Sequence, residues 1–265
     1  MKAPDFSYVR PIDLGEAMAE LAKAGDGGYI LAGGQSLMPM LNFRAVEPDV
    51  LIDINRVDGL SDIDDQADLL RIGALVRHAG LERSNLVRRH APLIHEAAGH
   101  IAHTAIRSRG TIGGSLALAD PAAELPACML ALDATIIASS DSGERRIAAS
   151  DFFLGAYETA LGEAEILTAI EVPKAPERRH AFGEITRRNG DYAIAGLAMT
   201  VMAGELTDPR MAFFGISDRP VLVGDEAELD GINVLGDPGA SVSLKRQLTS
   251  VLLKRALREL EGAGA

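Results

Sequence analysis

Two glycine-rich loops, each placed between a strand and an apolar helix, constrain this chain more than any other feature. The longer one lies within Ile106–Pro126 (IRSRGTIGGSLALADPAAELP), and the earlier one is Leu31–Pro39 (LAGGQSLMP). Glycine has no Cβ, so adjacent glycines let a ligand approach the backbone amides closely. A loop that leads into a helix can hold phosphate oxygens without a lysine. Two such loops therefore predict a ligand with two phosphates.

Size and charge narrow the class of protein. The chain has 265 residues, 47% of them hydrophobic, which suffices for one large domain or two unequal ones. Its formal net charge of −12 argues against nucleic acid and against an anionic membrane surface, because both need surplus Lys and Arg. No segment approaches the roughly 20 apolar residues of a membrane span, and the N-terminus lacks the apolar core of a signal peptide. We expect a soluble, cytoplasmic protein without membrane insertion.

The cysteine and the histidines do not predict a metal site or a nucleophile. Cys128, the one cysteine, lies in the apolar run ACMLAL, where a buried, inert thiol is expected. A single cysteine cannot hold an iron–sulfur cluster. His95, His100 and His103 do not share one face of a helix, so they are not expected to converge on a metal. Asp53 lies in an apolar strand, where it is expected to cap the turn that follows.

Familiar catalytic and nucleotide motifs are missing. Neither glycine loop completes G-x-S-x-G, and no acid–histidine pair follows Ser115 to make a hydrolase triad. The sequence contains neither G-x-G-x-x-G nor GxxxxGK[ST], so Rossmann and P-loop sites are not predicted. We therefore assign no catalytic residue.

Hydrophobic periodicity outlines a first half of mixed α and β structure. Helices are expected after Asp13 to about residue 24, and over residues 37–43, 76–83 and 92–101, with strands over residues 29–32, 50–54 and 69–74. A short helix is expected over residues 127–132 with Pro126 at its start. Two strands over residues 135–139 and 144–148 flank a Asp141-Ser142-Gly143 turn, and another strand covers residues 165–172.

The last part of the sequence has a different pattern. Residues 173–179 contain two prolines and several charges and are the linker candidate. Strands over residues 181–186, 194–203 and 211–216 then predict a three-stranded antiparallel sheet. A final helix over residues 244–260 presents one apolar face, formed by Leu244, Leu248, Val251, Leu252 and Ala256.

Taken together, the motifs resemble those of the FAD-binding medium subunit of molybdenum hydroxylases, the family of carbon monoxide dehydrogenase and xanthine dehydrogenase. The resemblance covers nearly the whole chain, and it rests on AGGQSLMP at residues 32–39, IRSRGTIGGS at 106–115, DPAAELP at 120–126, IGA at 72–74, RHA at 77–79, the strand at 165–173 and RRNGDYA at 187–193.

The resemblance implies an α+β fold: a two-subdomain FAD-binding fold of the vanillyl-alcohol-oxidase (PCMH) type, with a C-terminal cap of three antiparallel strands and a helix. The FAD-binding domain would span residues 1–174, with subdomains of about 1–57 and 58–174, and the cap residues 175–265. FAD would be held non-covalently. Carried over by position, the cofactor-binding residues would be Leu31, Ala32, Gly33, Gly34, Gln35, Ser36, Leu37, Ile101, Thr111, Ile112, Gly113, Gly114, Ser115, Glu124, Leu167, Glu184 and Tyr192.

Within this set the resemblance implies different roles. The two loops would wrap the diphosphate and ribityl chain, Glu124 would lie near the adenosine end, and Tyr192 near the isoalloxazine. Ile101 and Leu167 would supply apolar contacts. Two departures stand out: Ser115 replaces a common Asn, and Glu184 replaces a common Lys. An acid at residue 184 would be expected to lower the potential of the flavin.

The resemblance also implies partners. Substrate hydroxylation would take place at molybdopterin in a large subunit, and electrons would reach this FAD through two iron–sulfur clusters of a small subunit, within a dimer of heterotrimers. The alternative is a self-contained FAD-dependent oxidoreductase on the same fold, which usually carries a larger substrate domain. The residues that choose the substrate would lie on another chain, and the final electron acceptor is left open among oxygen, NAD and a quinone or cytochrome.

Overall fold

The computed structural model describes residues 2–204 and 206–262, so Met1, Glu205 and the last three residues of the expected cap lie outside it. A small parallel sheet comes first. Asp13 begins the first helix as predicted, because its Oδ1 accepts from the backbone N–H of Glu16 at 2.8 Å. The strands pair in the order β1-β3-β2. The elements are β1 (Ser7–Val9), α1 (Leu14–Ala24), β2 (Gly28–Leu31), α2 (Leu37–Phe43) and β3 (Val50–Asp53).

A five-stranded antiparallel sheet with helices on it forms the middle of the chain, in the order β4-β5-β10-β6-β7, and β8 and β9 form a separate hairpin. Its elements are β4 (Ile63–Asp65), β5 (Leu69–Gly73), α3 (His78–Arg83), α4 (Asn85–His90), α5 (Pro92–His100), α6 (Thr104–Arg107), α7 (Ile112–Leu118), α8 (Glu124–Ala131), β6 (Thr135–Ser140), β7 (Gly143–Ala148), α9 (Ala149–Phe152), β8 (Phe153–Gly155), β9 (Glu158–Thr159) and β10 (Ile166–Pro173).

Most of these elements match the predictions, with two differences. The predicted β6–β7 hairpin is confirmed, and its strands pair from Thr135 to Ala148. The expected helix over residues 127–132 instead begins at Glu124, so Pro126 lies inside its first turn, where a missing N–H costs nothing. The elements β4, α4, α6, α7, α9, β8 and β9 were not predicted, because segments of two to seven residues carry little periodicity. In α7 the expectation was wrong: Gly113, Gly114 and Ser115 were expected in a loop but lie in a helix that Thr111 caps.

The C-terminal sheet has four strands in the order β11-β12-β13-β14, one more than predicted. The added strand has only three residues, too few for an alternating pattern. The linker is also shorter than expected, because β10 extends to Pro173 and the next strand begins at Arg178. The elements are β11 (Arg178–Ile185), β12 (Ala195–Met202), β13 (Arg210–Phe214), β14 (Val221–Val223) and α10 (Val242–Gly262).

Helix α10 buries Leu252 and Ala256 of its predicted apolar face and half-buries Leu248 and Val251, but the face differs at its N-terminal end. Leu244 is 39% exposed, whereas Lys245 and Thr249 are buried. The ammonium of Lys245 donates to the carbonyl of Gly215 at 2.8 Å and lies 2.7 Å from a carboxylate oxygen of Asp237. Because these two acceptors satisfy the ammonium group, the helix can bury Lys245. The prediction of its apolar face was wrong at Leu244.

The C-terminal sheet lies directly against α5 and α8. The hydroxyl of Thr200 in β12 donates to the carbonyl of Ala131 at 2.9 Å. Phe182 in β11 lies between the rings of His100 and Phe214, with centroid distances of 4.9 and 5.9 Å. The loop between β11 and β12 lies against the segment before α6, where a Cβ on Gly190 would be 3.1 Å from the carbonyl oxygen of Ala102. In the part of the chain that the structure describes, every helix is too short or too polar to cross a membrane.

Candidate functional site

The two glycine loops meet at one cavity of about 600 Å³, which is within the usual range for small-molecule and cofactor sites. Most residues expected at the cofactor line it. They are Ala32, Gly33, Gly34, Gln35, Ser36, Leu37, Ile101, Thr111, Gly113, Gly114, Ser115, Glu124, Leu167 and Tyr192.

Three expected residues do not line the cavity. Leu31 and Ile112 each precede a lining residue, and Ile112 is fully buried in the core. Glu184 lies in β11, where its Oε1 is 3.5 Å from Nδ1 of His100. The structure therefore gives Glu184 a neighbour in the protein rather than a place on the cavity wall.

The first loop offers a row of free backbone donors. In residues 2–204 and 206–262, none of the amide N–H groups of residues 33–37 donates to a protein acceptor. Gly34 has φ of +70°, a left-handed conformation that favours glycine. Successive N–H groups in such a turn form a concave anion site. This loop is therefore suited to phosphate oxygens.

The second loop differs, because its amides are used inside the protein. The N–H groups of Ile112 and Gly113 donate to the carbonyls of Val76 and Ala74 at 3.0 and 2.9 Å. The hydroxyl of Thr111 accepts from the N–H of Gly114 at 3.1 Å, which caps α7. A Cβ on Gly113 would lie 2.6 Å from the Cβ of Ala74. Glycine is thus needed here for close packing against the end of β5.

The two loops also touch each other and are joined by Arg77. A Cβ on Gly33 would lie only 2.4 Å from the carbonyl oxygen of Arg109. The guanidinium of Arg77 donates to that same carbonyl and, at 2.5 Å, to Oδ1 of Asn55. Asn55 in turn donates to the carbonyl of Ala32 at 2.8 Å. The sequence pattern included Arg77 but did not reveal that it holds both loops together.

Asp53 anchors this network, and its predicted capping role is confirmed. Its Oδ1 accepts from the backbone N–H of Asn55 at 2.9 Å, and its Oδ2 accepts from the hydroxyl of Tyr8 and lies 3.3 Å from Nε of Arg10. Burial acts to raise the pKa of Asp53, but the hydrogen bonds from Tyr8 and Asn55 keep it below its usual value. The carboxylate therefore stays ionised and holds Asn55 against the first loop.

Acidic side chains dominate the charge of the cavity. Asp120, Glu124, Glu165 and Asp191 line it, and no Lys or Arg does so among the residues that the structure describes. Burial raises the pKa of Glu124 to about 7. Glu165 differs, because a 2.6 Å ion pair with Arg145 keeps its pKa low. The amides of the first loop must therefore bind the negative phosphates, and Arg77 behind the loop must supply the positive charge.

The histidines and the cysteine have separate surroundings. His78, which the sequence did not single out as a site residue, lines the cavity, and burial lowers its pKa to about 4. His103 also lines the cavity, whereas His100 pairs with Glu184. Cys128 is fully buried, as predicted, and burial raises the pKa of its thiol. Over residues 2–204 and 206–262, no group of three potential metal ligands comes together.

Exposed tyrosines lie near Asp120, which lines the cavity. Tyr192 also lines the cavity and is 68% exposed, and partial burial together with the charges of Asp120 and Glu124 raises its pKa. Tyr157 has φ of +58° and lies 3.4 Å from Asp120, whose neighbour Ala119 has φ of +52°. Such backbone conformations concentrate at functional sites. Because the charge of Glu124 raises the pKa of Tyr192, the two side chains lie in the same region of the cavity.

A fold of this kind, with this cavity, defines a cofactor-binding protein, and comparison with known proteins gives its class. Residues 4–175 match the family model described as "FAD binding domain in molybdopterin dehydrogenase". The chain is 36% identical over 281 residues to the glyceraldehyde dehydrogenase medium chain of Sulfolobus acidocaldarius, covering 98% of this chain and 100% of that one. It is 47% identical over 206 residues to the 6-hydroxypseudooxynicotine dehydrogenase complex subunit alpha of Paenarthrobacter nicotinovorans, covering 77% and 70%.

Solved structures agree. Carbon monoxide dehydrogenase from Hydrogenophaga pseudoflava matches over 100% of both chains with a TM-score of 0.95 and 32% identity. Quinoline 2-oxidoreductase from Pseudomonas putida 86 matches over 100% of both chains with a TM-score of 0.93 and 35% identity. The chain belongs to the FAD-binding medium subunits of the molybdenum hydroxylase family. The resemblance found in the sequence and the fold class that it implied are therefore confirmed.

The cofactor of this family is FAD, and the residues present fit it. The free amides of residues 33–37 suit a diphosphate, and the apolar wall formed by Ile101, Leu161 and Leu167 suits a planar ring system. Arg77 adds positive charge behind the first loop. The chain is thus an oxidoreductase subunit whose own residues bind a flavin.

Proposed function

We propose that this chain transfers electrons within a larger enzyme. Its FAD would take electrons from the iron–sulfur clusters of a small partner subunit and pass them to an external acceptor. A large subunit would carry molybdopterin, and the whole would form a dimer of heterotrimers in the cytoplasm. Support comes from the medium chains and complex subunits among the relatives, such as caffeine dehydrogenase subunit beta of Pseudomonas sp. strain CBB1, 40% identical over 225 residues.

One observation carries the proposal: the run of free amides at residues 33–37 lies in a single cavity with the glycine-packed second loop. Bound FAD supplies the redox chemistry, and the protein supplies binding, orientation and electrostatics. No catalytic acid or base was assigned from the sequence, which agrees with a protein that binds and orients its cofactor.

We propose the following roles for the lining residues. The amides from Gly33 to Leu37 bind the diphosphate, and Thr111 and Ser115 hold the second loop at the ribityl chain. Ile101 and Leu167 contact the flavin through their apolar surfaces, and Tyr192 covers its exposed side. Because Glu124 is an electrostatic neighbour of Tyr192, we place it nearer to the flavin than to the adenosine.

We also propose that residues 1–174 form the FAD-binding domain, with subdomains at about 1–57 and 58–174, and that residues 175–265 form the cap. The separation of the parallel sheet, the five-stranded sheet and the C-terminal sheet supports this division. The cap would close the cavity through the segment that contains Gly190, Asp191 and Tyr192.

The test is a visible spectrum of the purified chain before and after denaturation, followed by turnover assays with and without the partner subunits. We expect releasable FAD and no turnover of simple electron donors by the isolated chain. Addition of the cluster-bearing subunit should allow its reduced clusters to reduce the FAD. Failure to bind FAD in excess would refute the proposal, and substantial turnover by the chain alone would favour a self-contained oxidoreductase.

A further inference from the structure

Two largely buried carboxylates, one on α8 and one on the C-terminal sheet, are close enough to interact electrostatically, and an imidazole lies beside the second. Glu124, in the first turn of α8, lines the cavity and is 9% exposed. The side chain of Glu184, in β11, is 7% exposed. His100, the last residue of α5, lies 3.5 Å from Glu184 and remains 43% exposed. We call these three residues the Glu124–His100–Glu184 cluster.

The surroundings of this cluster are acidic. Glu96, one helical turn before His100, is paired with His180 at 3.3 Å, and Asp120 lies on the α8 side. The buried thiol of Cys128 stays neutral. Oε2 of Glu184 is buried without a hydrogen-bond partner among the described residues. His100 is thus the only group of the cluster that can carry positive charge, and it faces two carboxylates.

A neighbouring carboxylate disfavours the ionised form of Glu124. Burial, followed by the charge of Glu184, raises the pKa of Glu124 to about 7. The hydrogen bond and charge of Glu184 raise the pKa of His100. Near neutral pH, Glu124 is therefore close to half protonation, and an added negative charge in the cavity will increase its affinity for a proton.

We propose that the Glu124–His100–Glu184 cluster binds a proton when the cofactor is reduced and releases it on reoxidation. The inference rests on the proposed function, because it requires FAD in this cavity. Two electrons and one proton convert oxidised FAD to its anionic reduced form, with the electrons supplied by an iron–sulfur centre or an electrode. A second proton then passes from solvent to the carboxylate of Glu124. The net charge of the cavity is thereby conserved.

The members of the cluster have different parts in this process. Glu124 is the proton-binding group, because it is the member that lines the cavity. Glu184 is a positioning residue whose charge sets the proton affinity of Glu124 and holds the ring of His100. The exposed ring of His100 connects the cluster with solvent. No Lys or Arg among the described lining residues could balance the new charge instead.

The experiment measures proton uptake during electrochemical reduction of the FAD-loaded chain in a weak buffer with a pH indicator. At about pH 8 we expect between one and two protons per FAD in the unmodified chain and about one in Glu124→Gln. Glu184→Gln should retain the extra uptake but shift its midpoint to lower pH, because the charge that raises the pKa of Glu124 is removed. This shift would not follow from a purely structural role.

Glu165→Gln is the matched control. Glu165 also lines the cavity, but its ion pair with Arg145 keeps its pKa low, so this variant should take up as many protons as the unmodified chain. Equal uptake by Glu124→Gln and the unmodified chain, with FAD fully bound in both, would overturn the inference. A chain that binds no FAD would instead overturn the proposed function, so the two failures are distinguishable.

Discussion

Replacing Gly33 with alanine tests whether close contact between the two loops is needed for cofactor binding. The new Cβ would lie 2.4 Å from the carbonyl oxygen of Arg109 and 2.9 Å from the Cα of Gly110. Ordinary contact begins at 3.4 Å, so the loops must separate by about 1 Å. Both obstructing atoms are backbone, and the guanidinium of Arg77 holds the Arg109 carbonyl in place. The strain therefore cannot be relieved by rotating a side chain.

The size of the effect follows from this geometry. Overpacking of a rigid site costs about 1–3 kcal/mol. If this strain destabilises the FAD-bound chain alone, the Kd for FAD should rise by about 5-fold to 150-fold. The part of the cost that falls on the unliganded chain should appear as a lower free energy of unfolding, because the same two loops touch in the absence of cofactor.

The assay combines titration of the FAD-free chain, followed by quenching of FAD fluorescence, with urea unfolding. Gly99→Ala is the matched control, because a Cβ at Gly99 in α5 meets nothing within 4 Å. This variant should keep its FAD affinity and gain up to about 1 kcal/mol of stability, because alanine loses less entropy in a helix. If Gly33→Ala has the affinity and the stability of the unmodified chain, the argument from loop contact is refuted.

Two further changes test local parts of the site by urea unfolding. Thr111→Ala should lower the free energy of unfolding by about 1 kcal/mol, because it removes the hydroxyl that accepts from the N–H of Gly114 and caps α7. Thr111→Ser should retain most of that stability, and equal losses in the two variants would contradict the capping argument. The folded pKa of His78 is about 4, below the unfolded value, so its contribution to stability should fall as pH drops from about 6.5 to 4, by up to about 3 kcal/mol. His78→Gln should lack this part of the pH dependence, and an unchanged slope would contradict the assignment.

Strongly patterned segments were predictable from the sequence. The helix after Asp13, the helix at Leu37–Phe43 and the β6–β7 hairpin are found as expected, because a cap, an apolar spacing or a turn signal defines each one locally. The first glycine loop was predictable for the same reason, whereas Gly113 and Gly114 of the second lie inside α7. The residues of the two loops line one cavity, which pattern alone suggested through two similar motifs.

Other features depended on contacts between distant residues. The Arg77 network joins Asn55, Arg77 and Arg109, and nothing in the local sequence of any of them indicates the other two. The second loop resembles the first in sequence, yet its amides are already used by Ala74 and Val76. Helix α10 buries Lys245 because Asp237 and Gly215 happen to be near enough to accept its hydrogen bonds.

The sequence by itself predicted the two glycine motifs and a ligand with two phosphates, because glycine runs, caps and apolar periodicity act over a few residues. Its resemblance to a known family implied the fold class and FAD. Only the tertiary structure decided which loop has free donors and where Glu184 lies. It also brought Glu124, His100 and Glu184 together from three separate elements. Hydrogen-bond satisfaction and the proton affinity of buried acids depend on atoms far apart in the chain, and folding alone brings those atoms into contact.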